Sequence, residues 1–165
     1  MKIKSMTAIL VAIPFALAAY AAVSDDTQKF FEEAASANKF EVESGRLAAQ
    51  KASDPQLKAF GQQMVADHTK ASQELQALAA RKRVQLPIAM SADHQKKLEK
   101  LREVKPGKDF DQEYRDLMVD GHEKAVSLFE DASKDAQDLE VKAFATKMLP
   151  TLQHHERQAN ALPKV

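Results

Sequence analysis

Four ionisable residues stand where helix periodicity calls for apolar ones. Glu41 falls between Ala37 and Gly45, His68 between Met64 and Ala71, His122 between Met118 and Ala125, and His155 between Leu152 and Ala159. Each lies three or four residues from its neighbours in the stripe, the spacing that stacks side chains on one helix face. Three imidazoles and a carboxylate brought together would be a ligand set for zinc, copper or a mononuclear iron. Met64 and Met118 each sit one turn from an inward histidine, and thioethers beside imidazole favour copper over zinc. Asp67 and Glu123, adjacent to His68 and His122, are candidate outer partners that would orient the rings. Four protein ligands would close the site and leave no coordination position for catalysis. The alternative needs no metal: Glu41 paired with a histidinium, in a buried polar network that only fixes helix register. His94 and His154 project away from these stripes and read as surface residues.

Other chemistries find no support. A diiron centre of the ferritin type needs two lone glutamates and two Glu-x-x-His pairs. The residues three before His68, His122 and His155 are Val65, Val119 and Leu152, so the carboxylates are missing. No phosphate-binding glycine loop, nucleophile elbow or His-Glu-x-x-His is present, and no catalytic residue is assigned. The chain has no cysteine, which excludes disulfides, thiolate metal sites and a lipid-bearing N-terminal Cys.

The elements that would position the four residues are helices. The chain is rich in Ala, Leu, Lys, Gln and Glu, with 4 Gly and no Trp in 165 residues, the size of one domain. A first helix, capped by Asp25 or Asp26, is expected from Thr27 to Lys51. Ser53-Asp54-Pro55 combines a stop, an N-cap and a proline at the first helical position. A second helix then reaches Arg83, with Leu57, Phe60, Met64, His68, Ala71, Leu75 and Leu78 on one face. A long connection holds a short helix between Ser91 and Arg102 that buries Leu98 and Leu101. Two more long helices follow, Asp109 to Ser133 and from after Asp138 to Ala161, with Pro150 expected to kink the last. Two short-looped hairpins joined by a long link describe a ferritin-like four-helix bundle, with a simple up-down-up-down bundle as the near alternative.

Helix rise tests whether the four residues can meet. From the turn near Ser53, Glu41 lies about 18 Å back and His68 about 22 Å forward. From the turn near Ala136, His122 lies about 21 Å back and His155 about 28 Å forward. All four are mid-helix, matched to about one or two turns.

The first 22 residues have the three parts of an export signal: Lys2 and Lys4, an apolar run from Met6 to Leu17, and small residues at Ala19 and Ala21. Cleavage is expected after Ala21 or Ala22, leaving residues 23–165 as a single helical domain. The mature chain keeps 22 basic against 24 acidic residues. That offers no basic excess for nucleic acid and no later segment apolar enough for stable membrane insertion.

The segments FFEEAASANKFEVESGRLAAQKASDPQLKAFGQQMVADHTKA, DFDQEYRDLMVDGHEKAVSLFEDAS and MLPTLQHHERQA carry a resemblance. Together they resemble the domain-of-unknown-function 4142 family of exported bacterial proteins, often labelled outer-membrane and grouped with ferritin-like folds. The likeness spans roughly Gln28 to Leu162 and implies a periplasmic ferritin-like bundle, with no activity attached. Matched residue by residue, it falls on Glu41, on Asp67 and His68, on His122, and on Pro150, Leu152 and His155. The chain has no alternating strand pattern for a barrel, so the outer-membrane label does not fit the mature domain.

Overall fold

Residues 23–164 are described by a computed structural model; the expected leader lies outside them. The described residues form α1 (Asp25–Lys51), α2 (Pro55–Lys82), α3 (Ala92–Glu103), α4 (Lys108–Asp135) and α5 (Leu139–Ala161). Caps account for most boundaries. The Asp54 carboxylate accepts from the Gln56 N–H with Pro55 following, and Asp138 accepts from the Glu140 and Val141 N–H groups. α1 is capped by Ser24 and not by an aspartate. Asp25 and Asp26 occupy its first turn instead, where negative charge complements the helix dipole. α5 runs through Pro150 without a break. The proline sits on the exposed side, where water can satisfy the carbonyl it leaves unbonded.

Helix directions follow from contacts at the two ends. At one end Asp111, in the first turn of α4, accepts from the backbone N–H groups of Ser53 (2.8 Å) and Asp54 (3.1 Å) in the α1–α2 turn. At that same end the Arg115 guanidinium donates to the Leu162 carbonyl just beyond α5. At the other end Phe30, near the start of α1, packs edge-on to Phe129 of α4 and Phe144 of α5. Thus α1 and α5 run down while α2 and α4 run up, and residues 83–107 must travel the length of the bundle. A parallel α2 and α4 joined by that crossover is the ferritin-like arrangement, not the up-down-up-down one. α3 lies in the crossover against α1 and α4, and it buries Leu98 and Leu101 as expected.

α1 and α2 approach unusually closely. A Cβ at Gly45 would lie 2.6 Å from the Gly61 carbonyl oxygen, and one at Gly61 would lie 2.8 Å from the Gly45 carbonyl oxygen. Only hydrogen at both positions lets the backbones meet.

The apolar core is divided in two. The upper part gathers Phe30, Phe31, Leu75, Leu78, Phe129, Val141 and Phe144; the lower gathers Phe40, Leu57, Phe60, Met64, Phe110, Tyr114 and Met118. Each large side chain contributes about 1.5–3 kcal/mol by leaving water. On each histidine-bearing helix the change from one cluster to the other falls at the histidine: Met64 | His68 | Leu75, Met118 | His122 | Phe129, Leu152 | His155 | Ala159. The polar residues form a belt between two hydrophobic plugs.

Candidate metal centre

The three histidines converge. His68, His122 and His155 are all buried, with ring centroids 5.7 Å (68–122), 5.5 Å (68–155) and 5.5 Å (122–155) apart. One ring nitrogen from each lies within 4.8 Å of the others. His155 starts about one or two turns lower by helix rise, but α5 runs opposite to α2 and α4. Side chains lean toward the N-terminus of their own helix, so His155 leans up while His68 and His122 lean down.

Each ring is held through its other nitrogen. His68 Nδ1 donates to Asn38 Oδ1 (2.8 Å), His122 Nδ1 donates to the Met118 carbonyl (2.9 Å), and His155 Nε2 donates to Asp67 Oδ2 (2.9 Å). None of the three acceptors can donate, so each fixes a neutral tautomer. The remaining atoms, His68 Nε2, His122 Nε2 and His155 Nδ1, are buried lone pairs with no hydrogen-bond partner among the described residues. An orphaned buried polar atom costs about 1–3 kcal/mol. Against a domain stability of about 5–15 kcal/mol, three together are a large share.

Burial sets the protonation. It pushes His122 down to about 4, the Met118 carbonyl offsetting part of the effect. Burial also holds His68 well below the ordinary imidazole range, reinforced by the neighbouring His122 and His155. His155 is lowered by burial too, and Asp67 partly restores it. All three rings are therefore uncharged at neutral pH, the form that binds metal. Tetrahedral bonds of about 2.0–2.1 Å from a metal to imidazole put ligand nitrogens about 3.4 Å apart, so nitrogens within 4.8 Å of one another would have to draw in on binding. The donor set fits a borderline transition metal.

Glu41 stands apart from the triad. It is buried, but its carboxylate is not within 4.8 Å of all three ring nitrogens. Its Oε1 lies over Gly121, 3.0 Å from where a Cβ would be, and its Oε2 has no partner among the described residues. Burial raises the carboxyl to about 8, so it carries a proton at neutral pH. A metal held by the three mutually close nitrogens alone would keep a coordination position free.

The outer partners also differ from expectation. Asp67 does orient a ring, but that of His155 on α5 and not of its chain neighbour His68. Glu123 is exposed, because one residue's rotation beyond the inward His122 points it to solvent. Met64 and Met118 are buried in the lower apolar cluster, and Met118 serves the site through its carbonyl. Asn38 was absent from the sequence expectations. It lies three residues before Glu41 and four after Ala34, and all three are buried on one face of α1. His94 is half-buried, stacked on Phe40 at 5.1 Å and bonded to Ser36 at 2.7 Å. His154 is exposed, as expected.

A cavity of about 530 Å³ opens onto the triad. Its lining includes the buried Glu41 and all three histidines, together with the exposed Asp93 of α3 and Lys124 of α4.

Fold and site together define a ferritin-like four-helix bundle with a buried histidine triad at mid-height. The chain belongs to the family described as "Domain of unknown function (DUF4142)", whose model matches residues 13–162. No curated protein matches it. Among solved structures it is similar to a DUF305 fragment from Deinococcus radiodurans. The TM-score is 0.72 at 12% identity, covering 84% of this chain and 95% of that one. It is also similar to CopM in its Cu(II)-bound form, with a TM-score of 0.67 at 18% identity, covering 81% and 93%. Both likenesses are of fold. No helix of the described residues is long and apolar enough to cross a membrane.

Proposed function

We propose that this is an exported protein that binds one transition metal ion through His68 Nε2, His122 Nε2 and His155 Nδ1, with copper the ion that fits best. The observation that carries this reading is the pairing pattern: three inward lone pairs without donors, each on a ring fixed from behind by an acceptor. Second-sphere acceptors of this kind raise ligand basicity and orient metal-bound histidines. A metal-free polar network would instead need a donor for each lone pair. Imidazole donors suit copper and zinc, and copper(II) tops the affinity order for nitrogen sites. The likeness to CopM, solved with Cu(II), agrees with that choice. Export to the periplasm rests on the leader at residues 1–22.

The test is thermal melting of the untagged protein with Cu(II), with Zn(II), and after chelation. A ligand that binds only the folded state raises the melting temperature, by about 2.7 kcal/mol of stability at a hundredfold excess over Kd. Copper should raise it more than zinc, and chelator should reverse both. A melting temperature indifferent to every metal and to chelator would sink the proposal.

A further inference from the structure

We propose that the fourth position on the metal is taken by a small exogenous monoanion entering through the cavity, with the Glu41 carboxyl as its hydrogen-bond donor. This rests on the metal reading above and adds a ligand to it.

Three features of the site point to it. The first is the count of donors, since only three nitrogens lie within ligand reach of one another and Glu41 is not among them. The second is Glu41 itself. Its side chain is buried, it lines the same cavity as the histidines, and its Oε2 has no partner among the described residues. Gly121 leaves the room in which its other oxygen sits. Burial favours the protonated form of this carboxyl in the metal-free protein, and a carboxyl that keeps its proton is a donor suited to an acceptor that arrives with negative charge. The third is charge balance. With Glu41 protonated, a dication among three neutral imidazoles meets one carboxylate, Asp67, so one positive charge remains uncompensated in a largely buried site. A monoanion cancels it.

The size of the cavity agrees. A water occupies roughly 30 Å³ of liquid volume, and the cavity's volume is about 530 Å³. Leu117, Leu128, Met148 and Leu152 give it an apolar wall beyond the polar end. A small carboxylate or an anion of similar size could place one acceptor atom on the metal and another against Glu41.

The experiment loads the untagged protein with Cu(II), measures the metal retained, and then titrates azide while following the azide-to-copper charge-transfer absorption, with acetate as competitor. A saturable band displaced by acetate is expected in the wild type. Glu41→Ala should weaken azide roughly tenfold, the scale of one hydrogen bond to a charged group, while Glu41→Gln, whose amide still donates, should stay near wild type. A wild type that retains copper but shows no azide band overturns this inference and leaves the metal reading standing. A band that appears only in Glu41→Ala also overturns it, because Glu41 itself would then fill the fourth position. Failure to retain copper at all overturns both.

Discussion

Asp67 Oδ2 stands 2.9 Å from His155 Nε2, so the residue immediately before one histidine of the triad in the chain steadies another on a different helix. Its location on α2 beside His68 couples two candidate ligand positions through one peptide bond. The α2–α5 spacing thereby becomes part of the site.

Asp67→Asn follows from that contact. The amide oxygen still accepts the His155 proton, but the negative charge that makes the ring a better donor is gone. Metal affinity should fall about 10–100-fold, the usual cost of losing an outer partner. Competition against a chelator of known affinity measures it. The Asp67 side chain is 41% exposed, so the fold should persist. Unchanged affinity would mean that Asp67 is only a surface partner.

Gly61→Ala tests the α1–α2 contact that sets Asn38 against His68. The new methyl would meet the Ala48 Cβ at 2.8 Å and the Gly45 carbonyl oxygen at 2.8 Å, and neither backbone can yield without moving the helix. Overpacking of this kind costs about 1–3 kcal/mol, more than the roughly 1 kcal/mol that alanine gains in helix propensity over glycine. A lower melting temperature and weaker metal binding should appear together. A variant as stable as wild type would show that the helices part easily.

Much of this fold could be read from the chain. All seven stripe residues assigned to α2, from Leu57 to Leu78, are buried, because a long helix repeats its period often enough to fix its inward face. The Asp54-Pro55 start was legible because capping and proline chemistry are local. The site was legible only to the level of height. Helix rise put Glu41 at the right level, but it cannot tell which neighbouring helix a side chain turns toward, and Glu41 turns toward Gly121. Asn38 and the Asp67–His155 pair escaped notice for the same reason, since each depends on contact across helices. His94 read as a surface residue because α3 is short, and its docking on Phe40 and Ser36 is decided by the crossover.

Glu41 also gives the metal-free protein a particular pH dependence. Its folded value of about 8 lies above the ordinary 4.5. Between those limits the unfolded chain releases a proton that the folded one keeps, so stability falls as pH rises. His122 works in the opposite sense, its folded value of about 4 lying below the ordinary 6.5. There the unfolded chain takes up a proton that the folded one refuses, and stability falls as pH drops from 6.5 towards 4. His68 and His155 are lowered as well and add to this acid limb. Melting temperature should therefore peak near pH 6.5. Glu41→Gln should flatten the decline toward pH 8, and its advantage should vanish below pH 4.5. A difference between the two proteins that does not vary with pH would contradict this assignment.

The most direct measurement is metal content after loading with Cu(II) and desalting, for the untagged wild type beside His122→Ala and His154→Ala, with helicity checked by circular dichroism. His122 is buried in the triad and His154 is exposed outside it. The account predicts roughly one equivalent retained by the wild type and by His154→Ala, and little by a folded His122→Ala. No retained metal in the wild type, or equal retention in all three, would contradict it.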